Sequence, residues 1–399
     1  MKNRANRTLL FRMTILFVAL SAPALLEAQA TLTLQQAIDS VLKRDPSVQA
    51  ASLQVIQSQQ LQKSSVSLAN PEVLAESPTG EFYTIGVTQS FDFPGTYIRQ
   101  NQYQKEQTVL AGFGKAISSL EVKFRVARVY LDAQYQFALV QLLAKQDSVY
   151  RLLSDAADGQ YNAGKLDLVQ KTFANLQYGE VHLKTQAAKT DYEATLQQLR
   201  LITGIQTSFG LSSLAPDLKR EQPEVSLAAN PYLGYSLQQE TVSRRLWQLE
   251  RNRALPGFTI GYLNQGPMNT PIGFRFRAGI TVPIWFWQYS GRMSAAKTGI
   301  RVAEFQSQAQ QQQLSLQLIT AQSNMSKATA ALLFYEDSGL AQAETVETSA
   351  QKLFSAGETD YTTYLRTLNE SYSIRLNHLE AVRNFNGASL ELNYLSGNL

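Results

Sequence analysis

Hydrophobic and polar positions along the chain follow two different periods. From Tyr83 to Phe93 the odd positions are mostly apolar and the even positions small or polar, which predicts a β-strand with one apolar and one polar face. From residue 96 to residue 160, apolar residues instead recur at coiled-coil spacings of three, four and seven: Ile117, Leu120, Phe124, Ala127, Leu131 and Ala138. A helix of that length would extend roughly 95 Å, longer than a globular domain is wide, so it needs neighbours to cover its apolar stripe.

Both patterns occur twice. Pro46 and Pro71 return 185 residues later as Pro231 and Pro256, and Gly164 and Gly204 return 193 residues later as Gly357 and Gly397. We place the first repeat at 31–227, with a helix, a β-hairpin at 72–93 and a long helical hairpin at 96–203, and the second at 228–399, with a helix, a β-hairpin at 257–287 and a long helical hairpin at 289–396. The fold class expected from these repeats is a mainly α-helical protomer with four strands.

The first 30 residues have the layout of a secretory signal peptide. Four basic residues precede the apolar run Met13 to Leu20, and Ala28-Gln29-Ala30 supplies the small residues of a cleavage site. An uncleaved anchor is the alternative, but the run is too short to cross ~30 Å of hydrocarbon as a helix. No later stretch has 18 consecutive apolar residues, so a membrane contact of the mature chain would be made by strands.

Composition narrows the possible functions. Residues 1–30 hold four basic residues and one acidic one, and therefore account for most of the formal net charge of +4. The nearly neutral remainder offers no extended basic surface for nucleic acid. The chain has no cysteine, and its two histidines, His182 and His378, have no Cys or close His partner in the sequence. Without a catalytic constellation or cofactor motif, we expect no enzyme, no cofactor and no metal site.

Strands that are apolar on one side and have aromatic residues near their ends suit the wall of a transmembrane β-barrel. The residues expected to face lipid are Ile85, Val87, Ile280 and Val282, and those expected to line the barrel lumen are Thr84, Thr88, Arg275, Arg277 and Thr281. For the two arginines, a solvated position at the barrel rim is an alternative. Four strands cannot close a barrel, and open edges in lipid would leave backbone groups unpaired. We therefore expect an oligomer, either a trimer with about twelve strands or a dimer with about eight.

Each long helical pattern breaks at a glycine. Gly164 and Gly357 are predicted to adopt the left-handed conformation that ends a helix. Asp167 and Asp360, three residues further on, are predicted to cap the returning helix. An alternative role for the two aspartates is to line a narrow entrance and act as a gate.

These segments resemble the TolC-like outer-membrane efflux family over essentially the whole mature chain. The resemblance rests on Thr88-Gln89-Ser90-Phe91-Asp92-Phe93-Pro94-Gly95, Tyr161-Asn162-Ala163-Gly164, Phe354-Ser355-Ala356-Gly357 and Leu201-Ile202-Thr203-Gly204. Phe93-Pro94-Gly95 is most similar to the cobalt-zinc-cadmium, or heavy-metal, subgroup. Many relatives also have a lipidated N-terminal cysteine, which this chain lacks.

The resemblance implies a homotrimer in outer-membrane lipid, with a twelve-stranded barrel that continues into an α-helical tunnel across the periplasm. It further implies a passive channel for metal cations or small toxic compounds, joined to a periplasmic adaptor protein and an inner-membrane efflux transporter. The adaptor-docking hairpin tips would be formed by Tyr161, Ala163, Gly164, Asp167, Phe354, Ala356, Gly357 and Asp360.

Two other functions share parts of this pattern. A periplasmic adaptor also has a long helical hairpin, but it normally has one, flanked by soluble β-domains. A purely structural coiled-coil protein would lack the strand pairs. Two helical hairpins together with aromatic-edged strands therefore favour the channel.

Overall fold

The computed structural model describes residues 31–76, 84–206, 209–216, 226–264 and 275–399, so the predicted leader lies outside the described residues. Its helices are α1 Leu34–Arg44, α2 Pro46–Lys63, α3 Pro94–Asn162, α4 Leu168–Thr203, α5 Pro231–Arg253, α6 Phe286–Phe334, α7 Leu340–Ser355 and α8 Tyr361–Ser396. Its strands are β1 Thr31–Leu32, β2 Glu72–Glu76, β3 Thr84–Phe91, β4 Gly210–Leu211, β5 Gly257–Leu263 and β6 Phe276–Thr281. The fold is thus mainly helical, with a small sheet, as the sequence predicts.

Proline sets several of these boundaries. Pro46, Pro94 and Pro231 each begin a helix, where the missing N–H is not needed. The prediction that a strand continues to residue 287 is wrong: β6 ends at Thr281, and α6 begins at Phe286. Pro283 cannot donate to a strand ladder, so Val282 lies just beyond the strand.

The second long helical pattern also differs from the first. Helix α3 is continuous over 69 residues, whereas the corresponding stretch of the second half is divided by a π-helical turn, Tyr335–Gly339, between α6 and α7. An inserted residue in a helical turn commonly marks a bend or a functional position. The long helical stretch of the second half is therefore divided at this turn, a feature that the repeat does not predict.

The helices lie side by side in one layer. Near the strands their order is α2, α3, α5 and α6, and towards the hairpin turns it is α4, α3, α8 and then α6 with α7. The apolar stripe predicted on α3 packs inside this layer: Leu120, Ala127 and Leu131 are buried, and Ile117, Phe124 and Ala138 are partly buried. Both flanks of the layer are open in the single chain.

Short and long helices are joined end to end. At the end of α4, the carbonyls of Thr203 and Gly204 accept hydrogen bonds from Ser40 and Arg44 of α1. At the end of α8, the carbonyl of Leu395 accepts a hydrogen bond of 2.8 Å from the Asn230 amide, and Asn230 also caps α5. Each joint satisfies carbonyls that a helix end would otherwise leave unpaired. As a result α2 and α5 extend the lines of α4 and α8.

The sheet has the order β2-β3-β5-β6, with every neighbouring pair antiparallel. The central pair β3–β5 joins one hairpin from each half of the chain. Strands β1 and β4 form a separate two-residue parallel pair beside the helices. Within the described residues, none of the helices combines the length and apolar character needed to cross a bilayer.

The joint at Asn230 yields a first test. Asn230 is 1% exposed, accepts from the amide of Tyr232 and donates to Leu395. Replacing it with alanine removes the cap and leaves a buried carbonyl unpaired, so we expect Asn230→Ala to lower the free energy of unfolding by about 1 to 3 kcal/mol. Ser226→Ala, at the exposed cap of the short turn Leu227–Ala229, is the matched control. Equal shifts of the thermal unfolding temperature in the two variants would contradict the role of Asn230.

Candidate functional site: the sheet, the hairpin turns and the open flanks

One face of the sheet is apolar and exposed. Register aligns Val73, Val87, Tyr262 and Phe276 in one row, and Phe91, Phe258 and Ile280 in another. Ile280 is 75% exposed and Ile85 59%, and Val282 just after the strand is 59% exposed. The rings of Phe91 and Phe258 stack at 5.1 Å. A surface of this kind on an unaccompanied chain indicates a contact with lipid or protein.

The opposite face is small and polar. Thr88 lies across from Gly261, and both are buried, although no helix appears among the main packing partners of the strands. A Cβ added at Gly261 would come within 2.8 Å of the Thr88 side chain. The polar face is therefore crowded at its centre by small residues, whereas the apolar face is exposed.

The other residues predicted to line a lumen lie on this same face by register. Arg277 pairs with Gly261, and Thr281 with Gly257, and both are exposed. Arg275 donates a hydrogen bond to Asn264. Thr84 pairs with Glu76 in the backbone register, but its side chain lies outside the described residues. The sheet therefore separates the two predicted groups, although which surroundings each face meets depends on the assembly.

Strands β2 and β6 are the two edges of the sheet. Each edge presents a row of backbone N–H and C=O groups that the four described strands do not pair. Such an edge is a template for a further strand. In lipid these groups would have no water to bind, so the edges would need partners.

The first hairpin turn, residues 161–167, has the geometry that its sequence predicts. Gly164 has a φ of 70°; its amide donates to the carbonyl of Tyr161, and the amide of Lys165 donates to the carbonyl of Gln160. These two bonds form a Schellman motif, which requires a left-handed residue. Asp167 caps α4 in a reciprocal capping box with Gln170. Ala163 is exposed, and the Tyr161 ring lies 4.8 Å from the Lys171 ammonium.

The second hairpin turn, residues 354–360, repeats this geometry. Gly357 has a φ of 73°, with equivalent bonds to the carbonyls of Phe354 and Leu353. Asp360 caps α8 by accepting hydrogen bonds from the side chain and the amide of Thr363. The exposed Ala356 completes the turn. Both aspartates therefore cap helices, as predicted.

The two turns differ in what supports them. The Phe354 ring stacks on Tyr364 at 4.6 Å, and the buried Tyr361 donates a hydrogen bond to the carbonyl of Leu153 on α3. Burial raises the pKa of Tyr361 above its ordinary value. Together with Tyr150 and Tyr372, these tyrosines form a packed cluster beneath the turns. The second turn is thereby fixed to the first hairpin through aromatic side chains.

The open flanks carry apolar stripes that the sequence analysis did not identify. On α6, exposed apolar residues follow spacings of three, four and their sums: Val302, Phe305, Leu316, Ile319 and Leu333. On α4, Val169, Leu176 and Leu183 are exposed at intervals of seven. Sustained heptad spacing on an exposed face is typical of a helix that packs on a partner helix. The same periodicity search that found the α3 stripe would have found these.

A groove of about 860 Å³ runs between α3, α6 and α8. Small residues of α6 and α8 line it together with charged ones, among them the ion pair Asp132–Arg383 at 2.8 Å. Burial raises the pKa of Glu391 in this groove, and Arg128 opposes the shift. Across the described ranges, no three or more His, Asp or Glu side chains converge as a metal site would require.

The chain was compared with protein families, curated sequences and solved structures. No protein-family model and no curated protein sequence matches the chain. Solved structures do match. CusC matches at a TM-score of 0.77 and 13% identity over 93% of both chains. Its structures are described as showing conformational changes that accompany folding and transmembrane channel formation. The outer membrane protein VceC of Vibrio cholerae matches at 0.73 and 13% identity over 91% of this chain and 96% of its own.

A third structure, the CmeC outer membrane channel of Campylobacter jejuni, matches at a TM-score of 0.70 and 15% identity over 92% of this chain and 85% of its own. These similarities extend over nearly the whole chain. At such low identity they establish the fold alone. The chain thus has the fold of the TolC-like outer-membrane channels.

The cap at Asp360 yields a second test. The hydrogen bonds from Thr363 hold the pKa of Asp360 below its ordinary value. A carboxylate with a lowered pKa stabilises the turn fully above its unfolded-state pKa, and loses that effect as pH falls through its folded-state pKa. We expect Asp360→Ala to remove the hydrogen-exchange protection of the Thr363 amide at neutral pH. Asp360→Asn keeps an acceptor oxygen and should retain protection without the loss in acid.

At each pH, the hydrogen-exchange rate of the Thr363 amide is compared with the intrinsic rate of an unprotected amide. Asp167→Ala, which removes the corresponding cap of the first turn, should leave Thr363 unchanged. Full protection of Thr363 in Asp360→Ala would show that the cap does not hold this turn.

Proposed function

We propose that the chain is the outer-membrane channel subunit of a tripartite efflux pump, a passive conduit rather than an enzyme. The observation that carries the proposal is the four-stranded sheet with an exposed apolar face and two edges that the four described strands leave unpaired, placed at one end of a long helical layer. An apolar face suits lipid, and unpaired edges suit only a closed ring of strands. The long helices suit a tunnel that continues from the ring.

The ring is a homotrimer in outer-membrane lipid. Strand β6 of one copy pairs with β2 of the next, and three copies supply twelve strands. Ile85, Val87, Ile280 and Val282 face lipid, and the polar face of the sheet lines the lumen. The exposed stripe on α6 packs against α2 and α4 of the neighbouring copy, so that the helical layer closes together with the sheet.

The hairpin turns are the docking surface for a periplasmic adaptor, which connects the channel to an inner-membrane transporter. Both turns expose small residues, and their shape is fixed by the left-handed glycines and the aspartate caps. Residues 1–30 direct export, and two repeats, 31–227 and 228–399, form the mature protomer. The proposed cargo is metal cations or small toxic compounds, and the likeness of Phe93-Pro94-Gly95 to the heavy-metal subgroup favours metal cations.

The efflux assignment is tested in a strain lacking the gene, exposed to a panel of heavy-metal salts and small toxic compounds. Sensitivity that is restored by the intact chain supports the proposal, and the compounds affected identify the cargo. A strain that tolerates the whole panel as well as its parent does would contradict the efflux role.

The lipid-facing assignment is tested by two neighbouring substitutions. Ile280→Arg places a charge on the apolar face and should cost about 2 to 4 kcal/mol if it lies near the bilayer midplane. Thr281→Arg adds the same side chain to the polar face, where it meets water, and should insert normally. The readout is the fraction of chain recovered as a membrane-inserted, heat-resistant oligomer. Equal recovery of the two variants would contradict the proposed orientation of the sheet.

The docking assignment is tested at the turns. Valine at Gly164 and Gly357 must adopt a left-handed conformation at a cost of order 1 to 3 kcal/mol each, while no atom beyond the adjoining residues lies within 4 Å of the new Cβ positions. The change is therefore confined to the shape of the turns. We expect the double variant to form a heat-resistant, inserted trimer but to lose adaptor cross-linking and efflux.

Alanine at Gly159, a helical glycine with nothing near its Cβ position, is the control and should retain both activities. Full efflux by the assembled double valine variant would show that the turns are not the docking surface.

A further inference from the structure

The two β-hairpins of the chain have opposite charge. From Ser64 to Ile98 the sequence contains four acidic residues, Glu72, Glu76, Glu81 and Asp92, and no basic one. From Ala254 to Gly291 it contains Arg275 and Arg277 and no acidic residue. The two hairpins occupy equivalent positions in the two repeats. Their opposite charges are therefore a difference between the repeats and not a common feature of the hairpins.

The sheet places these charges at its two opposite edges. Glu72 lies on edge strand β2, across from Thr88 on β3. Arg277 lies on the other edge strand, β6, across from Gly261 on β5. Thr88 and Gly261 are themselves paired, so one row of residues crosses the whole sheet with a carboxylate at one end and a guanidinium at the other. Both side chains are exposed in the single chain.

In a closed ring, strand β6 of one copy would lie beside strand β2 of the next. The strand directions alternate across β2, β3, β5 and β6, so β6 of one copy and β2 of the next would be antiparallel, as in the rest of the sheet. Strand tilt shifts the rows between copies by an even number of residues, because an odd shift would exchange the two faces. Glu72 and Arg277 therefore remain on the same polar face of the sheet. Arginine reaches diagonal as well as direct cross-strand partners.

From this arrangement we infer that the edges of neighbouring copies form an ion-paired seam. In this seam the Glu72 carboxylate on β2 meets the guanidinium groups of Arg275, just before β6, and Arg277, on β6, of a second copy of this chain. The inference rests on the ring of the proposed function and goes further, because it names the groups that select the partner edge. A β2–β2 contact would oppose carboxylates, and a β6–β6 contact would oppose arginines. The charges thus favour head-to-tail addition, which closes a ring, and disfavour a symmetric edge-to-edge dimer.

Charge reversal tests the seam. Glu72→Arg and Arg277→Glu, made separately, each replace an attraction with a repulsion at every subunit boundary. We expect each to lower the yield of heat-resistant oligomer by about tenfold, since opposed like charges destabilise cross-strand pairs. The double reversal restores attraction with the signs exchanged and should recover the yield to within about twofold. Arg151 is an exposed arginine of α3, far along the chain from the sheet. As the control, Arg151→Glu makes the same change of charge and should leave the oligomer yield unchanged.

Additive loss in the double reversal would overturn the inference. So would undiminished oligomer yield in both single variants. Either result, in a protein that still inserts into the membrane and supports efflux, would leave the proposed function standing. Failure of the unaltered chain to insert at all would instead contradict the proposed function.

Disulfide trapping tests the same boundary without altering charge. The chain has no cysteine, so introduced cysteines report only on designed contacts. Val73→Cys is combined in one chain with cysteine at Phe276, Ala278 or Ile280, which lie on the same apolar face. We expect one combination to give covalent dimers and trimers on oxidation, and thereby to define the register of the seam. Covalent dimers from Val73→Cys alone would show a β2–β2 contact and overturn the inference.

Discussion

The backbone hydrogen bonds of a four-stranded sheet are the constraint on which the rest of this structure depends. Two strands from each half of the chain build the sheet, and its edges, β2 and β6, are left with unpaired donors and acceptors. One face of the sheet is apolar and exposed, so lipid would suit this face but would offer no hydrogen-bond partners to the edges. Only further strands resolve both demands at once. The single chain is therefore an incomplete structure that its own copies can complete.

The helical layer has the same property. End-to-end joints at Thr203 and Asn230 let a short helix continue a long one, so the layer stays four helices wide from the sheet to the turns. A layer of constant width has two open flanks, and the exposed stripes on α4 and α6 lie on them. The sheet and the helical layer therefore both need neighbours, and they need them on the same two sides. One ring can satisfy both.

The repeated halves are alike in architecture and unlike in detail. The hairpin turns match closely, with left-handed glycines at 164 and 357 followed by aspartate caps. In contrast, a π-helical turn divides only the second long helix within the described residues. Tyr361 and Tyr364 support the second turn, and the charges on the two sheet edges are opposite. Of these differences, the opposite charges lie on the two edges of the sheet, where one edge must fit the other and not itself.

Much of this architecture could be predicted from the sequence because it depends on local rules. Alternation around Val87 predicts the apolar and polar faces, heptads around Leu131 predict the long helix, and glycine followed by aspartate predicts the turns. The end of β6 was misplaced because alternation continues through Val282 and Ile284, whereas Pro283 removes a ladder donor. The pairing of β3 with β5 and the row from Glu72 to Arg277 depend on contacts between distant segments, which one sequence does not disclose. The π-helical turn has no distinct residue pattern.

The central claim, that three copies close one barrel, is tested most directly by native mass spectrometry of the intact chain released from lipid nanodiscs. The account predicts a single complex of three copies, stable without any other protein. Two copies would indicate an eight-stranded ring in place of twelve strands. A monomer that remains folded in lipid would contradict the account, because its two strand edges would then have no partner.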